Sequence, residues 1–376
     1  MRILHTSDWH LGKRLFNLDR SLEHELFLGW LIETIKEQKV ELLLIAGDIF
    51  DTPTPPHQSL ETFYNFLHRL STETETNTLI IAGNHDSGLL LEAPSRILSH
   101  HRVKVWGKLS EAPEDHWTRA GNIEICAIPF FRSYELLPQG EGDALEVLKK
   151  YLIRDKTLPQ ILMLHHLAGV FESSPSEQVI SLSGVDSIPT EILRTFDYVA
   201  LGHIHKPQKV AQQCYYSGSP IPLRFSETAR KSVVLIEETE GTLSSSLLMV
   251  PVFRHLFIIK TTESDYLNQI QKLNAQTGLT PVVEIQIELS TPRSGLIDEI
   301  KSLLEKKGME LLSYMPIYQT GEEKTQRSEK IFDLSPVELF QEFYATKYPE
   351  SKEMPDDLMN DFMKLLEKVK HASHSS

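Results

Sequence analysis

Five short clusters in the first half of the chain carry side chains that bind divalent cations. They are Asp8-Trp9-His10, Gly47-Asp48 with Asp51, Gly83-Asn84-His85-Asp86, His165-His166 and Gly202-His203-Ile204-His205. Carboxylate and imidazole suit a hard or borderline cation such as Mn²⁺, and two such ions side by side need an anionic group between them to offset their repulsion. Asp48 is assigned the bridge, because Gly47 lets the backbone turn tightly and aim the carboxylate at the ions. Asp8, His10 and one histidine of the 202–205 loop then complete one ion. Asn84, His165 and the other loop histidine complete the second. An extended His203-Ile204-His205 segment would point both imidazoles the same way. His85 is assigned to the phosphate, as electrophile or as acid for the leaving oxygen, and pairing with Asp86 is expected to fix its tautomer.

Each cluster follows an apolar run that reads as a buried strand: Arg2–Thr6, Leu42–Ala46 and residues 78–82, 161–164 and 198–201. Between the first three lie stretches with Leu28, Leu31, Ile32, Ile35 and Leu60, Phe63, Tyr64, Leu67 on one helical face. Strands alternating with helices argue for an α/β layered core, where ligand-binding groups gather beyond the carboxyl ends of the strands. Taken singly, Asp8-Trp9-His10 reads as a strand-end loop and Gly83-Asn84 as a turn. Five such clusters with complementary donors at five strand ends point instead to one two-metal hydrolytic site.

The ordered set D-x-H, G-D-x-x-D, G-N-H-D, H and G-H-x-H resembles the calcineurin-like metallophosphoesterase superfamily. The wording of Asp8-Trp9-His10-Leu11-Gly12, Gly47-Asp48-Ile49-Phe50-Asp51 and Tyr216-Ser217-Gly218-Ser219-Pro220, with Glu227 shortly after, resembles its double-strand-break repair nuclease family. That resemblance implies an α/β layered sandwich of two central mixed β-sheets flanked by helices, with a small α+β capping domain and C-terminal helices. It implies one Mn²⁺ on Asp8, His10, Asp48 and His205, and another on Asp48, Asn84, His165 and His203, with Mg²⁺ as a substitute. His85 would be the catalytic histidine that binds no metal. His165 and His166 compete for a single place; His165 is preferred because it directly follows the strand and keeps the family-like distance to Glu172. The resemblance further implies 3′→5′ exonuclease activity on duplex DNA ends, endonuclease activity on single strands or hairpins, an SMC-like ATPase partner and a homodimer. No Gly-rich ATP-binding loop occurs in this chain. The rival reading is a phosphatase or small-molecule phosphodiesterase built on the same metal site.

The 376 residues exceed the usual size of one core, so more than one domain is expected. No apolar run approaches the length of a membrane span, the sequence opens without a signal peptide's regions, and only Cys126 and Cys214 are present. These features point to the cytoplasm, with no membrane association. The net charge of −14 opposes DNA binding, which draws on Lys and Arg. Bound cations offset part of that charge, and a partner can supply the rest of the grip. Lys13, Arg14, Arg132, Lys206 and Arg224 are the nearest basic groups in sequence to the motifs.

Residues 1–252 are read as the nuclease domain and 253–318 as the α+β capping domain. Residues 319–334 read as a polar linker, and 335–370 as a helical element that docks the partner. There Ser335 and Glu338 form a capping box ahead of Leu339, Phe340, Phe343 and Tyr344, and Leu358, Phe362, Leu365 and Val369 repeat at helical spacing. Residues 371–376 read as a disordered tail.

Overall fold

The structure, a computed structural model, describes residues 1–137, 142–153, 155–169, 171–172, 187–275 and 278–318, and beyond these Phe340, Tyr344, Pro355, Leu358, Met359 and Phe362. The linker at 319–334 and the tail at 371–376 lie outside the described residues, as does most of 335–370.

Strand periodicity decides what each side chain covers. In Leu42–Ala46, Leu42, Leu44 and Ala46 join a cluster with Ile161, Met163 and Ala200 of a second sheet, whereas Leu43 and Ile45 join Phe27, Leu31, Phe63 and Phe66 of two helices. Those helices are Ser21–Gln38 and His57–Glu73, which carry the two apolar faces expected from the sequence. On the second sheet, Leu162 and Leu164 pack with Leu148 and Leu152 of helix Ala144–Leu152. The result is a four-layer α/β sandwich with two sheets at its centre.

The first sheet runs in the order Thr242–Met249, Ser232–Thr239, Arg2–Thr6, Leu42–Ala46, Asn77–Ile81, Val103–Trp106. Its last four strands are mutually parallel, and the first two join antiparallel. The second sheet runs Gln208–Ala211, Cys214–Tyr216, Tyr198–Gly202, Gln160–His165, Ile123–Ile128, Trp117–Ala120, with a parallel centre and antiparallel edges. Mixed sheets of this kind bring the loops that follow parallel strands to one end. The strands Trp117–Ala120 and Ile123–Ile128 and the helix Ala144–Leu152 were not anticipated from the sequence, since none of them ends in a chemically distinctive cluster.

Strands Arg254–Thr262, Leu279–Leu289 and Glu310–Tyr318 form a third sheet in that order, accompanied by helices Tyr266–Lys272 and Leu296–Glu305. Met1–Ile287 together with Arg293–Pro316 forms one compact unit; Glu288–Pro292 and Ile317–Ser376 form the other. Within the first unit, Val282 packs with Leu15 and Phe225, and Arg254 donates to the buried Glu23 carboxylate at 3.0 Å. Among the described residues of the second, the rings of Phe340 and Phe362 stack at 4.0 Å. No helix among the described residues is long and apolar enough to cross a membrane.

Close packing of the two central sheets depends on Gly202. A Cβ there would lie 1.9 Å from the Ala46 carbonyl oxygen and 2.6 Å from His165 Nδ1. Gly202→Ala is therefore expected to destabilise the fold by about 1–3 kcal/mol, read as a lower urea midpoint at unchanged slope.

Candidate metal centre

Three of the metal-binding loops start in unusual backbone. Asp8, His10, Asp48 and His203 have φ of 54°, 49°, 51° and 98°, and Gly47 has 86°. Left-handed non-glycine residues are uncommon, and a concentration of them marks a site that the surrounding fold holds in place. Backbone bonds tie the loops together: Asp8 N donates to Gly47 O, and His10 N to Asp48 O, both at 3.0 Å. The Asp8 carboxylate accepts from His203 N at 2.9 Å, and Asp48 Oδ1 accepts from His85 N at 2.8 Å. Gly83 makes room for this last contact, since a Cβ there would stand 2.2 Å from Asp48 Oδ1.

The imidazoles show where cations belong. His165 Nδ1 donates to the Ala46 carbonyl at 2.7 Å, which leaves Nε2 as a lone pair 3.1 Å from Asn84 Oδ1 and 3.3 Å from Asp48 Oδ2. His203 Nδ1 lies 2.9 Å from the same Asn84 oxygen. His10 turns Nδ1 toward Asp51 Oδ1 at 3.3 Å, and His205 turns Nδ1 toward Glu227 Oε1 at 3.5 Å. Their Nε2 atoms then face each other at 3.2 Å, with Asp48 Oδ2 3.6 Å from that of His10. Lone pairs converging this closely in a buried site repel unless a cation lies between them. There are two such convergences, and Asp48 Oδ2 borders both. Asp8 also belongs to both, grouping with His10 and His205 and with Asp48 and His165. The residues present thus fit a pair of divalent ions.

Two details differ from the sequence reading. His85 does not pair with Asp86: its Nδ1 donates to the Asp51 carbonyl at 2.8 Å. The Asp86 carboxylate instead accepts from the backbone N–H groups of Ile49, Phe50 and Gly83 at 3.2, 2.9 and 2.9 Å, so it braces two loops of the site rather than orienting His85. The positive φ of His203 breaks the extended run expected through His205. The two rings separate, His203 toward Asn84 and His205 toward His10. His166 points away from the centre; its Nε2 accepts from Phe131 N at 3.2 Å and its ring lies against Phe130 and Phe131.

The calcineurin-like phosphoesterase family matches residues 1–207, and a family described as the type 5 capsule protein repressor C-terminal domain matches 252–348. The SbcD subunit of the nuclease SbcCD from Escherichia coli strain K12 is 31% identical over 369 residues, covering 90% of this chain and 92% of that protein. The chain belongs to the SbcD family of calcineurin-like phosphoesterases. The SbcD subunit from Rhodobacter capsulatus is 32% identical over 281 residues, covering 67% of this chain and 69% of that one. This SbcD-family chain is accordingly a metal-dependent phosphodiesterase.

Residues outside the ligand set hold it in place. Asp51 serves two histidines of the site, His10 through its carboxylate and His85 through its carbonyl, and also binds Lys13 Nζ at 3.0 Å. Glu227, buried, accepts from Lys231 Nζ at 2.6 Å and from Leu223 N at 3.1 Å while facing His205. Carboxylates behind ligating histidines fix the tautomer and raise basicity. Glu227 was visible in the sequence only as part of a family wording, and Lys231 gave no signal, because a contact at i, i+4 in a loop has no distinctive spacing.

Electrostatics put a demand for positive charge at the same point. Burial alone would lower the pKa of His165, but the Asp48 charge beside it outweighs burial and lifts it to about 9. Burial likewise works against ionised Asp48, and His165 overcomes it, holding the carboxyl below its ordinary range. Burial lowers His203 to about 4 and His166 to about 3. The centre therefore demands positive charge at His165, and a proton there competes with a metal ion. Raising the pH from 7 to 9 is expected to strengthen Mn²⁺ binding about tenfold per unit for one displaced proton, and to stop doing so above 9. Isothermal titration with Mn²⁺ across that range, in buffers of differing ionisation enthalpy, counts the released proton directly.

Asp48→Asn removes the charge shared by both convergences. Bound metal is expected to fall more than in His10→Ala or His203→Ala, each of which takes away a single-ion donor; two ions at full occupancy in dialysed Asp48→Asn protein would refute a bridging role.

Proposed function

We propose that this chain is the Mn²⁺-dependent nuclease subunit of an SbcCD-type complex. It would act as a 3′→5′ exonuclease on duplex ends and an endonuclease on single strands or hairpins, in DNA repair and recombination. The observation that carries the two-ion site is the double convergence of lone pairs around Asp48 Oδ2. The nuclease assignment draws on the relatives named as the SbcD subunit of the nuclease SbcCD, whose likeness spans both the phosphoesterase part and the segment after residue 252.

In this reading Asp8, His10, Asp48 and His205 hold one ion, and Asp48, Asn84, His165 and His203 the other; Mg²⁺ is a chemically reasonable substitute. When bound, such a pair activates water and neutralises charge building on a phosphoryl group. The chain's own residues do the rest. Asp51 and Glu227 keep the Nε2 atoms of His10 and His205 turned inward. His85, held through Nδ1, keeps its Nε2 for the phosphate and supplies a proton or a hydrogen bond to an oxygen that gains charge. Its ring stands against that of His10 at 4.8 Å between centroids, within reach of whatever the centre holds.

The partner in this reading is an SbcC-type, SMC-like ATPase, docked on the helices of 335–370, and residues 1–252 and 253–318 act as nuclease and capping domains. Exposed Leu89 and Ile97, 65% and 67% accessible on two adjacent short helices, favour a homodimer contact. The reading is tested by cleavage of linear and hairpin DNA with Mn²⁺, with and without the ATPase, alongside bis(p-nitrophenyl) phosphate. DNA cleavage is expected, and hydrolysis of the small ester alone would favour a phosphodiesterase of other substrate. In the same assays His85→Ala should keep its metal and lose roughly two to four powers of ten in turnover.

A further inference from the structure

The buried Glu23 carboxylate lies at the start of helix Ser21–Gln38 and is gripped by two arginines. Arg20 meets it with a planar fork, Nε to Oε2 at 2.6 Å and Nη2 to Oε1 at 2.5 Å. Arg254, in the first strand of the third sheet, donates Nε to the same Oε2 at 3.0 Å. Arg20 alone balances the charge of Glu23, so the second arginine is surplus to neutralisation. Arg254 also donates Nη1 to the Thr280 carbonyl at 2.5 Å, which joins two strands of the third sheet to this one carboxylate.

From Arg20 the contacts continue to the metal centre. Its third guanidinium nitrogen, Nη1, donates to the Pro222 carbonyl at 2.9 Å. The N–H of that same peptide group, on Leu223, donates to Glu227 Oε2 at 3.1 Å. A peptide group is planar and stiff, so its C=O and N–H move together. Lys231 Nζ holds the same Glu227 oxygen at 2.6 Å, and Glu227 Oε1 stands 3.5 Å from His205 Nδ1, whose ring turns Nε2 toward His10. Arg20, Glu23, Glu227 and His205 are all buried. The turn that carries Pro222 and Glu227 is nevertheless not packed tight, because a cavity of about 230 Å³ is bordered by Glu23, Pro222, Glu227, Lys231 and Arg254. Where close packing lapses, polar contacts decide the position of the backbone.

We propose that Arg254 and Arg20 are positioning residues for His205: through Glu23 and the Pro222–Leu223 peptide they set where the Glu227 carboxylate stands, and so where His205 presents Nε2. The proposal rests on the reading above in which His205 holds an ion, and adds that the third sheet takes part in setting that ion's site. Asn84, His165 and His203 take no part in these contacts, so one ion should respond to them and the other should not. An arginine that merely anchored the third sheet would behave differently, since any loosening of that sheet would then reproduce its loss.

The test titrates the full chain, freed of metal, with Mn²⁺ and counts bound ions by metal analysis after equilibrium dialysis. Arg254→Met leaves Glu23 paired with Arg20, and Arg20→Lys keeps a charge beside Glu23 while giving up the fork and the reach to Pro222. Each variant is expected to weaken one of the two ions by about three- to tenfold and to leave the other unchanged, and either carries the test if the other fails to fold. In a Glu227→Gln background the loss should disappear, because both arginines act through that carboxylate. Val282→Ala loosens the third sheet against Leu15 and Phe225 without touching these contacts, and should keep both affinities. Unchanged affinity in a folded variant overturns the proposal, as does equal weakening of both ions, an undiminished loss in the Glu227→Gln background, or the same loss in Val282→Ala. Failure of the underlying reading looks different: His205→Ala would bind two ions as tightly as the unaltered chain, which removes His205 from the ligand set and the proposal with it.

Discussion

Two carboxylates, Asp8 and Asp48, are almost fully buried where the loops of the two central sheets meet, and burying an ion without compensation costs several kcal/mol. The surroundings meet that cost partly with backbone N–H groups, from His203 to Asp8 and from His85 to Asp48. Amides cannot neutralise the charge; a proton on His165 offsets it at neutral pH, and a cation among the converging imidazoles would take that proton's place. Positive charge, from a proton or a cation, is therefore a structural requirement of this seam. The left-handed backbone at Asp8, His10, Asp48 and His203 and the glycines at 47, 83 and 202 follow from it, because they let four loops approach until their donors share two points.

Much of this was legible in the sequence for a simple physical reason. Parallel strands in a layered sheet deliver their carboxyl ends to one edge, so polar clusters that follow apolar runs are neighbours in space although far apart in the chain. Helical faces at Leu28–Ile35 and Leu60–Leu67 were legible because their apolar spacing has a single geometric meaning. Choosing His165 over His166 depended on which residue continues the strand, and Gly202 pairs with His165 in register. His166, one residue on, faces Phe131 instead.

What was not legible depends on backbone conformation and on distant loops. Adjacency suggested that Asp86 would orient His85, yet Asp86 has three amide donors to satisfy and the Asp51 carbonyl reaches the ring first. Same-side projection of His203 and His205 assumed extended backbone, and one positive φ undoes it. Glu227 and Lys231 come from a loop that follows the last motif; their role exists only because that loop folds back under His205.

The overall charge of −14 also acquires a local meaning. Several basic residues near the centre are engaged with carboxylates of the fold: Lys13 with Asp51, Lys231 with Glu227, and Arg20 and Arg254 with Glu23. A side chain that neutralises a buried carboxylate has less to give a phosphate, so these residues add little to the sequence-independent grip that DNA binding requires. Metal ions then become the principal source of positive charge facing a substrate. A phosphodiester held mainly by ions would be gripped at its reacting end and weakly elsewhere, the condition under which a separate subunit that binds long stretches of duplex contributes most.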